Sequence, residues 1–142
     1  MIAHAQIMNS DIQVLPLQMQ HFWMKNYSYL VLNTSKKKAL VVDPAWEIKK
    51  IEKALGEFSL TDILLTHSHP DHIDLVLPLV KKYSCSVWMS KQEIDHSNFR
   101  CERLIAIDHG KSFECAEASV LPLLTPGHTP GSACYLINNN LF

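Results

Sequence analysis

The stretch Leu64-Leu65-Thr66-His67-Ser68-His69-Pro70-Asp71-His72 brings four side chains that commonly bind metals within six residues. It begins as an apolar strand and continues into an extended loop, where His67 and His69 are two residues apart, so that their rings can point to the same side. Pro70 is typical of the first position of a helix, because its missing N–H would have no partner there. The stretch therefore predicts a strand, a loop that carries ligands and a helix, in that order.

The mixture of imidazole and carboxylate groups suits zinc, iron or manganese at neutral pH. A lone histidine is typical of a structural role, whereas three histidines within six residues indicate a metal site. Asp71 has a second interpretation, because Ser68 and Asp71 match the spacing of a capping box that would hold the start of the helix. Capping does not account for the histidines. The cluster thus predicts as metal ligands His67, His69, Asp71 and His72.

A second segment, residues 124–132, reads L-T-P-G-H-T-P-G-S. Prolines and glycines at these offsets predict a stiff, tightly turned loop with His128 at its centre. Alone, this pattern is also that of an ordinary turn, but together with the first cluster it predicts His128 as a further ligand. Both segments follow an apolar strand, and α/β folds place their ligand sites at the carboxyl ends of strands.

Patterns of strands and helices alternate along the rest of the chain and predict a layered α/β fold. We predict strands over residues 27–32, 39–42, 61–65, 86–89, 104–107, 119–124 and 133–137. We predict helices over residues 46–58 and 70–83, the second kinked at Pro78, and a short helix within residues 90–103.

The composition is that of one globular domain over residues 1–142, since 47% of the residues are hydrophobic and 19% are charged. A formal net charge of −1 gives no basic surplus for nucleic acid. No apolar run approaches the ~20 residues that a membrane span needs, and residues 1–10 carry no signal-peptide pattern. Four widely spaced cysteines predict free thiols in a reducing compartment, so we expect a cytoplasmic protein that binds neither nucleic acid nor a membrane.

Together, the two histidine segments resemble the metallo-β-lactamase superfamily. The first is similar to its H-x-H-x-D-H motif, and the second to the T-P-G-H-T-P-G loop of its glyoxalase II-like branch. Val41-Val42-Asp43-Pro44 resembles the V-[IV]-D-P-G turn of the same family. The resemblance covers roughly residues 27–142 and implies an αββα fold, of which this chain resembles the N-terminal half.

The resemblance also implies roles for individual residues. It implies that one metal ion is held by His67, His69 and His128, and that a second faces Asp71 and His72. Asp43 would steady the ligand loop without touching the metal. The implied cofactor is zinc, as one or two ions, with iron or manganese as alternatives.

Such a site implies a metal-dependent hydrolase that acts on a small molecule, a thioester or related small ester. A divalent cation lowers the pKa of bound water and polarises the scissile carbonyl group, and Asp71 would be the catalytic residue that orients the nucleophile and passes on a proton. Two alternatives stay open: a non-catalytic binding or regulatory domain with this fold, and an iron-dependent oxidoreductase of the same superfamily.

The end of the chain at Leu141-Phe142 departs from the family pattern, in which such a pair commonly begins L-F-[TS]-G-D. The aspartate of that motif bridges the two metals, so we expect a domain incomplete at its C-terminus that holds one ion tightly. We also expect the inner face of the sheet to be bare, and a second copy of the chain or another protein to cover it.

Overall fold

The structure is a computed structural model of the chain and describes residues 11–142. Residues 1–10, where the sequence shows no signal-peptide pattern, lie outside the described residues. No helix within residues 11–142 has the length and apolar character needed to cross a membrane.

A sheet of six strands, ordered β1 to β6 from edge to edge, forms the first layer. Its strands are β1 (Ile12–His21), β2 (Met24–Asn33), β3 (Lys38–Val42), β4 (Ser59–Leu64), β5 (Ser86–Ser90) and β6 (Leu104–Ile107). The first three strands pair antiparallel, whereas β3, β4, β5 and β6 are mutually parallel. Parallel neighbours need a crossover connection, and helices provide each one here.

Four helices make these crossovers: α1 (Ile48–Leu55), α2 (Pro70–Ile73), α3 (Val76–Tyr83) and α4 (Lys91–Ser97). They pack on one face of the sheet, where Ile51 of α1 and Leu79 of α3 share a buried core with Ile63 and Val87 of the central strands. The predicted α/β layering is confirmed.

A second, antiparallel sheet packs on the opposite face. It consists of β7 (Phe113–Cys115), β8 (Ala118–Leu124), β9 (Ala133–Ile137) and β10 (Asn140–Leu141). Val120 and Tyr135 of this sheet share a buried core with Val42 and Leu64 of the first. The Tyr135 hydroxyl also donates a hydrogen bond to the carbonyl oxygen of Leu65, at 2.6 Å. The layers are therefore helices, sheet and sheet.

The expectation of a bare inner sheet face is wrong, because the second sheet of the same chain covers that face. Side chains alternate along β8 and β9, and their buried positions face the first sheet. That burial removes the reason for which we expected a covering partner. Pairing with a second copy or another chain stays a prediction.

Strand β1 was not predicted from the sequence. It pairs with β2 along all ten of its residues, from Ile12 opposite Asn33 to His21 opposite Met24. It lies at the edge of the sheet and contains Pro16, which an edge strand tolerates because one side of its backbone needs no partner. Strand β7 was also missed.

The predicted helix over residues 70–83 is two helices, and the break falls between Ile73 and Val76 rather than at Pro78. Pro78 is the third residue of α3, where backbone N–H groups have no partner within the helix. A continuous helix would need a hydrogen bond from residue 78 to the carbonyl of Asp74, which proline does not donate.

Replacing Tyr135 by phenylalanine should lower the free energy of unfolding by about 1–3 kcal/mol, because a buried carbonyl loses its hydroxyl partner. Urea denaturation followed by circular dichroism measures the change. Tyr27→Phe is the matched control, since Tyr27 is 46% exposed, whereas Tyr135 is 0% exposed. Equal stability of the two variants would contradict this role of Tyr135 in joining the sheets.

Candidate metal centre

Three histidines from two separate loops converge at the end of the sheets. His67 and His69 lie in the loop after β4, and His128 lies in the loop between β8 and β9. Their ring centroids are 4.6–5.0 Å apart, and each ring offers one nitrogen within 4.8 Å of the other two. The closest approach is 3.0 Å, between His128 Nε2 and His69 Nδ1. Three imidazole nitrogens at this spacing fit one cation.

The Nε2 atom of His67 supports this fit. It is buried and has no hydrogen-bond partner among the residues that the structure describes. An unpaired buried nitrogen is costly, so a ligand is the expected partner. Burial lowers the pKa of the His67 imidazole, and the neighbouring His72 lowers it further, so the ring is neutral and its lone pair is available.

A chain of hydrogen bonds fixes which nitrogen of His67 carries the proton. The Asp43 carboxylate only accepts, so the Thr66 hydroxyl donates to it, at 2.6 Å. The Thr66 oxygen then accepts from His67 Nδ1, at 2.9 Å. The proton is on Nδ1, and the lone pair of Nε2 points to the other histidines. Contacts of this kind set the tautomer of metal-binding histidines.

Asp43 lies where the resemblance implies, beside the ligand loop. Its Oδ1 accepts from the backbone N–H of Thr66 at 2.8 Å, and its Oδ2 contacts His72 Nδ1 at 3.0 Å. Asp43 adopts a left-handed φ of 50°, which turns the chain sharply after β3. A single carboxylate thus orients both ends of the loop.

His72 lies next to the three-histidine group but is engaged by other side chains. Its Nε2 contacts the Asn26 amide nitrogen at 3.1 Å, and Asp71 Oδ2 lies 3.4 Å away. Burial disfavours its charged form, but the hydrogen bond to Asp43 and the charge of that carboxylate outweigh this and raise the pKa of His72. Among the described residues, the group of potential ligands that contains His72 also contains Asp43 and His67.

Asp71 belongs to neither group of potential ligands found within residues 11–142. Its carboxylate faces His72 and Asn26 at the mouth of the site. The capping interpretation of Asp71 is wrong, because the side chain of the cap residue, His69, makes no capping hydrogen bond. The Ser68 hydroxyl donates instead to Glu93, at 2.6 Å.

The number of metal ions that the site holds stays a prediction.

Sequence reasoning missed two polar residues at this site, Asn26 and Glu93. The Asn26 amide donates to the backbone oxygen of Asp71 at 2.9 Å, while its own oxygen accepts from the backbone of Tyr27 at 2.8 Å. Asn26 lies within a strand and Glu93 within a helix, and neither belongs to a metal-binding motif. No local sequence pattern indicates that Asn26 contacts Asp71 or that Glu93 contacts Ser68.

Residues 22–140 match the sequence model of the metallo-beta-lactamase superfamily. The chain belongs to this superfamily. The match agrees with the two histidine loops and with the sheet-on-sheet architecture. The resemblance stated from the sequence is therefore confirmed.

Proteins with similar sequences include several that are named as hydrolases. The chain is 43% identical over 137 residues to the "Probable polyketide biosynthesis zinc-dependent hydrolase BaeB" of Bacillus velezensis, a match that covers 95% of this chain and 61% of the relative. It is 31% identical to a "Hydroxyacylglutathione hydrolase" of Bradyrhizobium, over 80% of this chain and 44% of that protein. The chain thus spans about three fifths or less of the length of these relatives.

A solved structure, ETHE1 from Myxococcus xanthus, superposes with a TM-score of 0.75 at 25% sequence identity. The alignment covers 90% of this chain and 56% of that protein. The layers described above are therefore those of a known fold.

Removing the His128 ring should weaken zinc binding by more than the 10–100-fold typical of residues outside the ligand set, because one of three ligands is lost. Zinc affinity is measured by competition with a chromophoric chelator. His96→Ala removes an exposed histidine from α4 and should bind zinc like the parent chain. A His128→Ala variant with unchanged affinity would contradict the proposed ligand set.

Proposed function

We propose that this chain carries the metal site of a zinc-dependent hydrolase that acts on thioesters or related small esters. The observation that carries the proposal is the convergence of three imidazole nitrogens, one of them buried and otherwise unpartnered. The chain spans 61% of the length of the BaeB protein of Bacillus velezensis. The activity of the whole protein is therefore part of this proposal.

Zinc is the proposed cofactor because three protein ligands and one open position are typical of catalytic zinc sites. The imidazoles of His67, His69 and His128 would supply such a set here. The printed name of the Bacillus velezensis relative supports the choice of this metal. Bound iron in the purified protein would instead support the oxidoreductase alternative.

Zinc in this position would supply a nucleophilic hydroxide at neutral pH and polarise the substrate carbonyl group. The chain's own residues would orient the ligands and carry protons. Asp43 and Thr66 hold the His67 ring so that its lone pair faces the site. Asp71 is half-exposed at the mouth, where its carboxylate would take up a proton and deliver it to the leaving group.

A thioester is the favoured substrate for a chemical reason and a comparative one. A thiol has a pKa near 8.5, so the thiolate leaves readily at neutral pH with little help from an acid. Among the relatives, the name hydroxyacylglutathione hydrolase supports an acyl group carried by a small thiol. A formal net charge of −1 does not favour nucleic acid as the substrate.

A direct test uses the zinc-loaded chain with a panel of acyl thioesters, oxygen esters, a β-lactam and a phosphodiester. Thiol release from thioesters should exceed hydrolysis of the other classes and should disappear after zinc is removed with a chelator. A chain that holds zinc and turns over no member of the panel would overturn the proposal and support a non-catalytic domain.

Asp71→Asn should lower kcat for the preferred thioester by roughly 10²- to 10⁴-fold, since it removes the carboxylate that would orient the nucleophile and take up its proton. Its zinc content should stay close to that of the parent chain, because Asp71 lies outside the three-histidine group. Asp95→Asn makes the same chemical change on an exposed part of α4 and is the control. Parallel loss of zinc and activity in Asp71→Asn would show that Asp71 is a ligand.

A further inference from the structure

Glu93 is a buried carboxylate that the proposed mechanism does not use. It lies in the first turn of α4 and its side chain is 0% exposed. Glutamate is almost never fully buried unless it is paired. No lysine or arginine among residues 11–142 forms an ion pair with it. Its charge must therefore be balanced by hydrogen-bond donors.

Those donors come from both metal loops. Glu93 Oε2 accepts from the backbone N–H of Ser68 at 2.9 Å and from the Ser68 hydroxyl at 2.6 Å. Glu93 Oε1 accepts from the backbone N–H of Gly131 at 3.2 Å. Ser68 lies between His67 and His69, and Gly131 follows His128 by three residues. One carboxylate thus joins two loops that are distant in sequence.

The packing around Glu93 leaves little freedom for this link. The Ser90 hydroxyl accepts from the Glu93 backbone N–H at 3.0 Å and donates to the Gly131 carbonyl at 2.6 Å. A Cβ atom on Gly131 would lie 2.2 Å from the Glu93 backbone nitrogen, which no side chain permits. Residue 131 must be glycine for the second loop to lie against the start of α4.

The carboxylate is ionised despite its burial. Burial alone would raise the pKa of Glu93, but the hydrogen bonds from Ser68 and from the 129–131 segment outweigh it and lower the pKa. Hydrogen bonds to a charged acceptor are about twice as strong as neutral ones. The link between the loops is accordingly a strong one.

We propose that Glu93 is a positioning residue, which sets the separation of the His67–His69 loop from the His128 loop and thereby the metal affinity of the three-histidine site. It touches no metal and acts through the two loops. The inference rests on the metal site of the proposed function, but it is tested by metal binding rather than by turnover.

The test compares Glu93→Gln with Glu114→Gln, which makes the same change on an exposed part of β7. Both oxygens of Glu93 accept hydrogen bonds, but glutamine replaces one of them with an NH₂ group, which cannot accept. At least one hydrogen bond, from Ser68 or from Gly131, is therefore lost. The zinc Kd of Glu93→Gln should rise by about 10–100-fold, the usual effect of removing an outer partner of a metal site. The visible absorption of bound Co²⁺ should also change, because the ligand geometry loosens.

Unfolding of each metal-free variant is measured alongside, so that affinity is compared only between folded proteins. If Glu93→Gln does not fold, Ser68→Ala carries the test, since it removes the hydroxyl link but no backbone contact; its zinc Kd should rise about tenfold. The proposal is overturned if folded Glu93→Gln has the same zinc Kd and Co²⁺ spectrum as Glu114→Gln. If Glu93→Gln does not fold, the same result for Ser68→Ala overturns it. A weakened zinc site in a chain inactive on every ester would leave this inference standing while the hydrolase assignment fails.

Discussion

The geometry of the metal centre depends first on the carboxylate of Asp43. The backbone N–H of Asp43 donates to the carbonyl of Leu64, so this residue is fixed at the ends of two parallel strands, β3 and β4. From there, its oxygens hold Thr66 and His72, and through Thr66 they orient the His67 ring. A buried acceptor at this point decides which imidazole nitrogen faces the site. The metal binding that we propose depends on that orientation.

The second sheet contributes the other half of the centre. The backbone N–H of Ala133 donates to the Thr66 carbonyl at 2.9 Å, which ties the start of β9 to the first ligand loop. Tyr135 adds its hydroxyl bond to Leu65 two residues further on. The Tyr135 bond is buried between the packed faces of the two sheets, where hydrogen bonds are electrostatically stronger than in water. These two links bring the loop of His128 close to the other histidines.

Much of the fold and the site was predictable from local pattern. Buried strands with short apolar runs, such as β3 and β9, were found because turn residues bound these runs. The edge strand β1 was missed because it mixes polar residues with Pro16, which local rules assign to non-strand structure. The alternative capping interpretation of Asp71 fitted the spacing from Ser68, but the buried carboxylate of Glu93, outside the local sequence, accepts the hydrogen bond of the Ser68 hydroxyl instead.

The sequence by itself determined the ligand types of the candidate site, because three histidines and a carboxylate within six residues suit a transition metal, and its two motifs indicated the family. It also determined that His128 belongs with the first cluster, through two motifs in a fixed order. Only the tertiary structure decided which lone pairs converge and that Asn26 and Glu93 touch the ligand loops. Those contacts join residues 25 or more positions apart, and no local periodicity encodes where separate loops meet.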